Sequence, residues 1–286
     1  MSTTAVTSTP AREPAAAGGV LVGPAWLAAR LHDPAVRVVE VDVSRAAYDA
    51  WHVEGAVLWN IYADLRDAEY RPVTTSGVRG LLERSGITPD TTVVFYGYGP
   101  ALGFWLMKLY GHADARILDC SRDTWRAEGR PASSTTAQPT PTAYPIGEPD
   151  SRLRADRAVV LDAIGSTATT LLDVRTAQEY AGERFWPSGG MEPDGRAGHI
   201  PAAVHQPIDG LYDERGAFVD PAGLRTVFSA VDLDRRRELI TYCTIGGRAS
   251  TAWFVLTHLL GCDDVRVYDG SWAEWGTTPG TPVDPA

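Results

Sequence analysis

The residues best suited to chemistry stand in one run, Tyr242-Cys243-Thr244-Ile245-Gly246-Gly247-Arg248-Ala249. A cysteine closes an apolar stretch, Leu239 to Tyr242, that reads as a buried strand. Four residues separate it from Arg248. Ala249 to Leu260 then reads as a helix, with Trp253, Leu256 and Leu260 on one stripe and Gly261 as its stop. A tight turn between strand and helix aims backbone N–H groups inward as an anion-binding nest. The helix start adds partial positive charge. A thiolate held there is stabilised as a nucleophile, and the same field suits the terminal sulfur of a persulfide. Gly246 and Gly247 permit backbone angles that a side chain forbids. The fork of Arg248 suits an oxyanion such as a sulfonate, or a salt bridge to the other part of the molecule. Thr244 and Ile245 complete the loop facing a bound anion.

Two rival readings bear on this run. A core cysteine is usually an inert small hydrophobe, which is how Cys120 and Cys262 read; Cys243 differs because strand end, glycine pair, arginine and helix start coincide. Cysteine phosphatases also close a thiolate loop with arginine, but with five residues between the two. The shorter loop here suits a smaller target, a sulfur atom rather than a phosphate tetrahedron.

The elements that position this loop recur along the chain. Val38 to Ser44 is an apolar run with an acid near its end, and Leu171-Leu172-Asp173-Val174-Arg175 reads the same way. His52 to Val57 follows the first run, and Gly198-His199-Ile200-Pro201 to Val204 follows the second. Thr92 to Tyr96, a glycine-rich turn and a helix to Gly111 match Leu239 to Gly261. Ala115 to Asp119 matches Val265 to Asp269, with Trp125 and Trp275 each six residues beyond the aspartate. Strands alternating with helical patterns imply an α/β fold with parallel sheets covered on both faces. The thiol position of the first repeat falls on or near Gly97. Counting back from Gly111 and Gly261, that loop is expected to be about four residues short, without a thiol or an arginine.

The expected organisation is a disordered leader over 1–19, rich in Ser, Thr, Ala and Pro, and a first domain over 20–130 without chemistry. A Pro/Ser/Thr-rich linker follows over 131–150, then a catalytic domain over 151–286. Across 286 residues the net charge of −10 argues against a nucleic-acid surface. No apolar run reaches membrane-spanning length. The N-terminus lacks the apolar core of a secretory signal, so a cytoplasmic protein is expected. Three cysteines without paired spacing make no disulfide framework and no zinc site.

The runs Thr241 to Ser250 and Tyr268-Asp269-Gly270-Ser271-Trp272-Ala273-Glu274-Trp275, with Asp173-Val174-Arg175 and Gly198-His199-Ile200-Pro201, resemble the tandem-domain rhodanese family of thiosulfate and 3-mercaptopyruvate sulfurtransferases. The resemblance covers about residues 20 to 282. It implies two similar α/β domains, each a mainly parallel, five-stranded sheet flanked by helices. By resemblance, Cys243 is the catalytic nucleophile, charged by a small sulfur-containing anion and discharged by cyanide, a thiol or an acceptor protein, with no metal or organic cofactor. The loop lacks the Cys-Gly-Ser/Thr-Gly-Val-Thr pattern of mercaptopyruvate enzymes, and its terminal arginine is closer to bacterial thiosulfate enzymes. Thr244 and Ile245 stand where vertebrate-type members carry cations, and Glu179 stands where those members place an anion-binding arginine.

Thr244, Ile245, Gly246, Gly247, Arg248 and Arg175 are therefore expected to bind substrate. Asp173, His199, Trp186 and Trp272 are expected to support the site. Asp173 and Arg175 also fit a structural pair at a strand end, and His199 a loop brace. Trp272 fits either a pocket wall or the core. Trp186 and the stretch Ser188 to Gly198, absent from the first repeat, suit an active-site entrance. A persulfide carrier for a dedicated biosynthetic acceptor and a non-catalytic binding module are the alternatives.

Overall fold

A computed structural model describes residues 19–233 and 237–285. The leader expected over residues 1–19 lies outside them except for Gly19. The first half contains strands β1 (Leu21–Val22), β2 (Val36–Asp42), β3 (His52–Val53), β4 (Val57–Asn60), β5 (Thr92–Gly97), β6 (Ala115–Leu118) and β7 (Ala132–Ser133). The second contains β8 (Thr169–Asp173), β9 (Val204–His205), β10 (Glu238–Tyr242) and β11 (Val265–Val267). The apolar runs thus become strands of two parallel sheets, ordered β1-β6-β5-β2-β4 and β11-β10-β8-β9. Helices flank both sheets, as the alternating pattern requires. No described helix is long and apolar enough to cross a membrane.

Among the described residues the second sheet has four strands where five were expected. Where β1 lies in the first half, a single parallel bridge joins Arg154 to Val267. Asp156, two residues on, already caps the Arg157–Ala163 helix through its side chain, so no length remains for a strand. The Pro- and Thr-rich stretch between the halves is pinned to the first. Its Ala132–Ser133 pairs antiparallel with His52–Val53, and Tyr144 is buried with its hydroxyl 2.9 Å from His112 Nδ1.

The two halves repeat each other in detail. Glu40 lies opposite Tyr96 in the first sheet, and Asp173 opposite Tyr242 in the second. Each tyrosine hydroxyl accepts a backbone N–H, from Val53 at 2.9 Å and from Ile200 at 3.2 Å. Tyr48 stacks on His52 at 3.9 Å, and Tyr180 on His199 at 3.7 Å. These matches place Gly97, directly after Tyr96, at the position of Cys243 after Tyr242.

The shortening of the first loop proves different from the count. Two residues separate Gly97 from the helix Pro100–Leu109, against three between Cys243 and the helix Gly247–Phe254. The turn is shorter by one residue only. The remaining difference lies in the second helix, which continues as a wide π turn over Val255–Leu259. There the Leu260 N–H donates to the Val255 carbonyl at 2.9 Å.

The Pro100–Leu109 helix is apolar almost all round and packs against Gly247–Phe254, so the halves share one core. His258, on the π turn, packs against Phe104, Trp253 and Phe254 with ring centroids 5.1, 5.2 and 5.4 Å away. Burial, reinforced by Lys108, lowers its pKa from 6.5 to about 4. The unfolded chain therefore binds the extra proton first. Stability is fully present above pH ~6.5, declines as the pH falls toward ~4, and then levels off. Allowing for partial exposure, the loss is on the order of 2 kcal/mol. Urea unfolding across this range is expected to show a shallower pH dependence in His258→Leu than in the wild type; equal slopes would exclude His258 as the source.

Candidate active site

Cys243 leaves the end of β10 and is 1% exposed. The start of the Ser271–Thr277 helix, after β11, holds its backbone on both sides. The Cys243 N–H donates to Ser271 Oγ at 3.1 Å, and the Trp272 N–H donates to the Cys243 carbonyl at 2.9 Å. Ser271 Oγ in turn donates to the Tyr268 carbonyl at 2.8 Å. The Cys243 backbone is thus fixed by this helix start as well as by its own loop.

Gly246 has φ +89° and caps the Gly247–Phe254 helix. Its N–H donates to Cys243 Sγ at 3.2 Å. A side chain here is excluded twice, by the positive φ and because a Cβ would lie 2.5 Å from Arg66 Nη2. Gly247 has neither constraint, so of the glycine pair only the first is demanded by shape.

Arg66 comes from the first half and was not singled out by the sequence, where Asp64-Leu65-Arg66-Asp67 looks like any charged surface turn. Its guanidinium is buried beneath the loop. Nη2 donates to the Ile245 carbonyl at 2.5 Å and to the Asp269 carbonyl at 3.1 Å, and Nη1 to the Leu65 carbonyl at 2.8 Å. A trans peptide is planar, with its C=O and N–H pointing in opposite directions. Drawing the Ile245 carbonyl toward Arg66 therefore turns the Gly246 N–H toward the sulfur. Burial lowers the Arg66 pKa, and the charges of Asp269 and Cys243 work against that fall.

The fork of Arg248 is already occupied. Nη1 and Nη2 donate to the two oxygens of Glu179 at 2.8 and 2.7 Å, and Nη2 also reaches Thr244 Oγ1 at 2.9 Å. Thr244 Oγ1 donates to Glu179 at 2.5 Å. Glu179 also closes a capping box with Thr176 at the start of the Ala177–Tyr180 helix. The Thr176-x-x-Glu179 spacing was the signal available in the sequence for this anchoring. Burial alone would raise the Glu179 pKa, but the bonds and charge of Arg248, with Thr244 and Thr176, bring it down to about 2. The ion pair open in the sequence is thus made, within the second half rather than across to the first.

Cys243, Thr244, Ile245, Gly247, Arg248 and Trp186 surround one cavity of about 300 Å³. The first half supplies the opposite wall with Val43, Ile61, Tyr62 and Tyr98. Tyr98 belongs to the first half's own thiol-less turn, next to Gly97. Pro187 and Ser188 extend the rim beside Trp186.

Other expected residues stand elsewhere. Arg175 was expected to bind substrate, but it is fully buried. It donates to Asp173 at 2.6 to 3.1 Å and to the Gly198 carbonyl at 2.9 Å, with its guanidinium 4.5 Å over the Trp272 ring. With its charge matched by Asp173 and its face against an indole, it has no surface to offer an anion. Trp272 is 1% exposed and donates to the Arg196 carbonyl at 3.2 Å, so it belongs to the core. His199 rests on Tyr180, with Nδ1 3.2 Å from the Tyr180 carbonyl. His52 does the same on Tyr48 in the first half, whose matching turn has Gly97 in place of the cysteine, which marks this contact as a feature of the scaffold.

A family model described as "Rhodanese-like domain" matches residues 23–128 and again 156–278. A "Putative thiosulfate sulfurtransferase" of Mycolicibacterium smegmatis is 39% identical, covering 93% of this chain and 97% of that protein. "Putative thiosulfate sulfurtransferase SseA" of Mycobacterium tuberculosis is 40% identical, covering 92% and 90%. Among solved structures, an anaerobic ergothioneine biosynthesis enzyme from Chlorobium limicola, in complex with trimethyl histidine, is similar in fold. Its TM-score is 0.78 at 24% identity, covering 93% of this chain and 70% of that one. With its two matched segments, two parallel sheets and doubled internal contacts, the chain belongs to the rhodanese-like family and carries its domain twice.

Proposed function

We propose that the protein is a sulfurtransferase that takes a sulfane sulfur from thiosulfate or a related donor and carries it as a persulfide on Cys243. The observation that supports this most is the Gly246 N–H at 3.2 Å from Cys243 Sγ, at a thiol that opens on the cavity between the halves. An N–H aimed at sulfur stabilises the thiolate and the persulfide that replaces it. The names of the relatives from Mycolicibacterium smegmatis and Mycobacterium tuberculosis point the same way.

In the first step the Cys243 thiolate attacks the outer sulfur of thiosulfate. The new bond joins Sγ to that sulfur, the old S–S bond breaks, and sulfite leaves with the electron pair. In the second step an acceptor nucleophile attacks the outer sulfur and Sγ recovers its electron pair as thiolate. No oxidant is consumed. With thiosulfate and cyanide as substrates, initial-rate plots are expected to be parallel, as for a ping-pong reaction through a covalent enzyme form. Intersecting lines would point to direct transfer in a ternary complex, and no thiocyanate with any sulfane donor would exclude the activity.

A further inference from the structure

Resting on the Cys243 persulfide proposed above, the geometry points to the acceptor: we propose an organic thiol with an uncharged apolar or aromatic body, bound in the cleft between the halves, with Glu179 setting that preference by occupying Arg248. A cavity of about 300 Å³ lies within the range of small-molecule sites, and is far larger than a sulfur atom or a cyanide ion requires.

Val43, Ile61, Tyr62, Tyr98, Trp186 and Ile245 give the cavity an apolar and aromatic lining. Tyr62 and Tyr98 are 40% and 58% exposed, among the most exposed large hydrophobic residues described. Trp186 is braced in place, its indole N–H donating to Glu192 at 2.9 Å and its ring 5.1 Å from Tyr70 of the first half. Such rings offer a stacking surface to an aromatic or aliphatic body.

Arg248 is the one cation among the lining residues. Both its amino groups are held by Glu179, at 2.8 and 2.7 Å, so the pair is neutral as a unit. Arg66 lies behind the loop and is not part of the lining. The lining therefore offers no uncommitted cation, and an acceptor's own sulfonate or carboxylate finds no partner there.

The acceptor enters as its thiolate, having released its proton to solvent. Its sulfur bonds to the outer persulfide sulfur as the bond to Sγ breaks. Sγ keeps that electron pair opposite the Gly246 N–H, and the acceptor leaves as its own persulfide.

The test loads the protein with thiosulfate, verifies the persulfide by mass, and follows its discharge by 4-methylbenzenethiol, 2-mercaptoethanesulfonate and cyanide. Tyr98→Ala and Trp186→Ala are each expected to lower kcat/KM for the aromatic thiol by about tenfold relative to cyanide, the size of a lost aromatic contact. Glu179→Gln is expected to free Arg248 and lower the KM for the sulfonate thiol and for thiosulfate by about tenfold. A gain of this kind cannot come from a misfolded variant. Equal losses for all three acceptors in the tyrosine and tryptophan variants, or an unchanged KM for both anions in Glu179→Gln, would overturn the proposal. Failure of the wild type to load sulfur at all would instead overturn the sulfurtransferase reading beneath it.

Discussion

Cys243→Ser is expected to reduce thiocyanate formation from thiosulfate and cyanide below detection, while Cys120→Ala keeps the wild-type rate. The contrast follows from the two environments. Cys243 stands at a strand end with an N–H 3.2 Å from its sulfur and a cavity in front of it. Cys120 is buried in the first half, where desolvation, with Glu128 nearby, pushes its thiol up to about 12. It therefore stays protonated and unreactive at neutral pH. A serine at 243 presents a hydroxyl in the same place, but oxygen does not supply the thiolate that must attack and then hold sulfur. Activity persisting in Cys243→Ser, or lost in a folded Cys120→Ala, would move the chemistry to another residue.

The second large effect concerns Arg66. Arg66→Met keeps the length and apolar stem of the side chain but removes its charge and donors. The Ile245 and Asp269 carbonyls then lose their buried partner, and the 245–246 peptide is free to rotate. The expected result is a fall in kcat of about 10²-fold, the usual scale for a lost preorganised N–H donor, with a much smaller change in KM. Arg66→Lys, which retains a cation and a donor, is expected to recover part of the loss. The unpaired carbonyls would also lower stability by about 1–3 kcal/mol, so the comparison is made well below the melting temperature. If kcat and KM move together, or lysine gives no rescue, Arg66 is a structural contact between the halves and does not position the loop.

This places part of the site in the half that lacks the thiol. Arg66 supports the loop from below, and Tyr62 and Tyr98 wall the cavity from above. The first half has Gly97 at the position of Cys243 and supplies a wall of the cavity. Its internal matches also separate scaffold from site. The Tyr48–His52 and Tyr96–Val53 contacts occur in the half that has Gly97 in place of the cysteine, so their counterparts Tyr180–His199 and Tyr242–Ile200 belong to the fold. The second half adds the Cys243 thiol and, beside it, the Arg248–Glu179 pair.

The legibility of these features in the sequence follows from distance along the chain. The Cys243 loop was readable because strand end, thiol, glycine and helix start are contiguous, and local geometry follows from local order. The two α/β halves were readable from recurring apolar runs. Arg66 was not, because its contact with Ile245 spans 179 positions and leaves no local trace. Arg175 was misplaced because an arginine at a strand end reads alike whether it faces solvent or a buried Asp173. The length of the first loop was misjudged because counting between two glycines cannot distinguish a shorter turn from a shorter helix, and the π turn at Val255–Leu259 holds most of the difference. Glu179 was visible as an oddity; that it neutralises Arg248 needed the fold, which brings the start of a short helix against the thiol loop.

The central claim is that Cys243 carries sulfur. Intact-protein mass spectrometry after incubation with thiosulfate, and in parallel with 3-mercaptopyruvate, tests it most directly. The account predicts an added mass of one sulfur atom with thiosulfate, located on the Cys243 peptide, removed by cyanide and absent in Cys243→Ser. An unchanged mass with every sulfane donor, or a sulfur atom found on Cys120 or Cys262 instead, would contradict it.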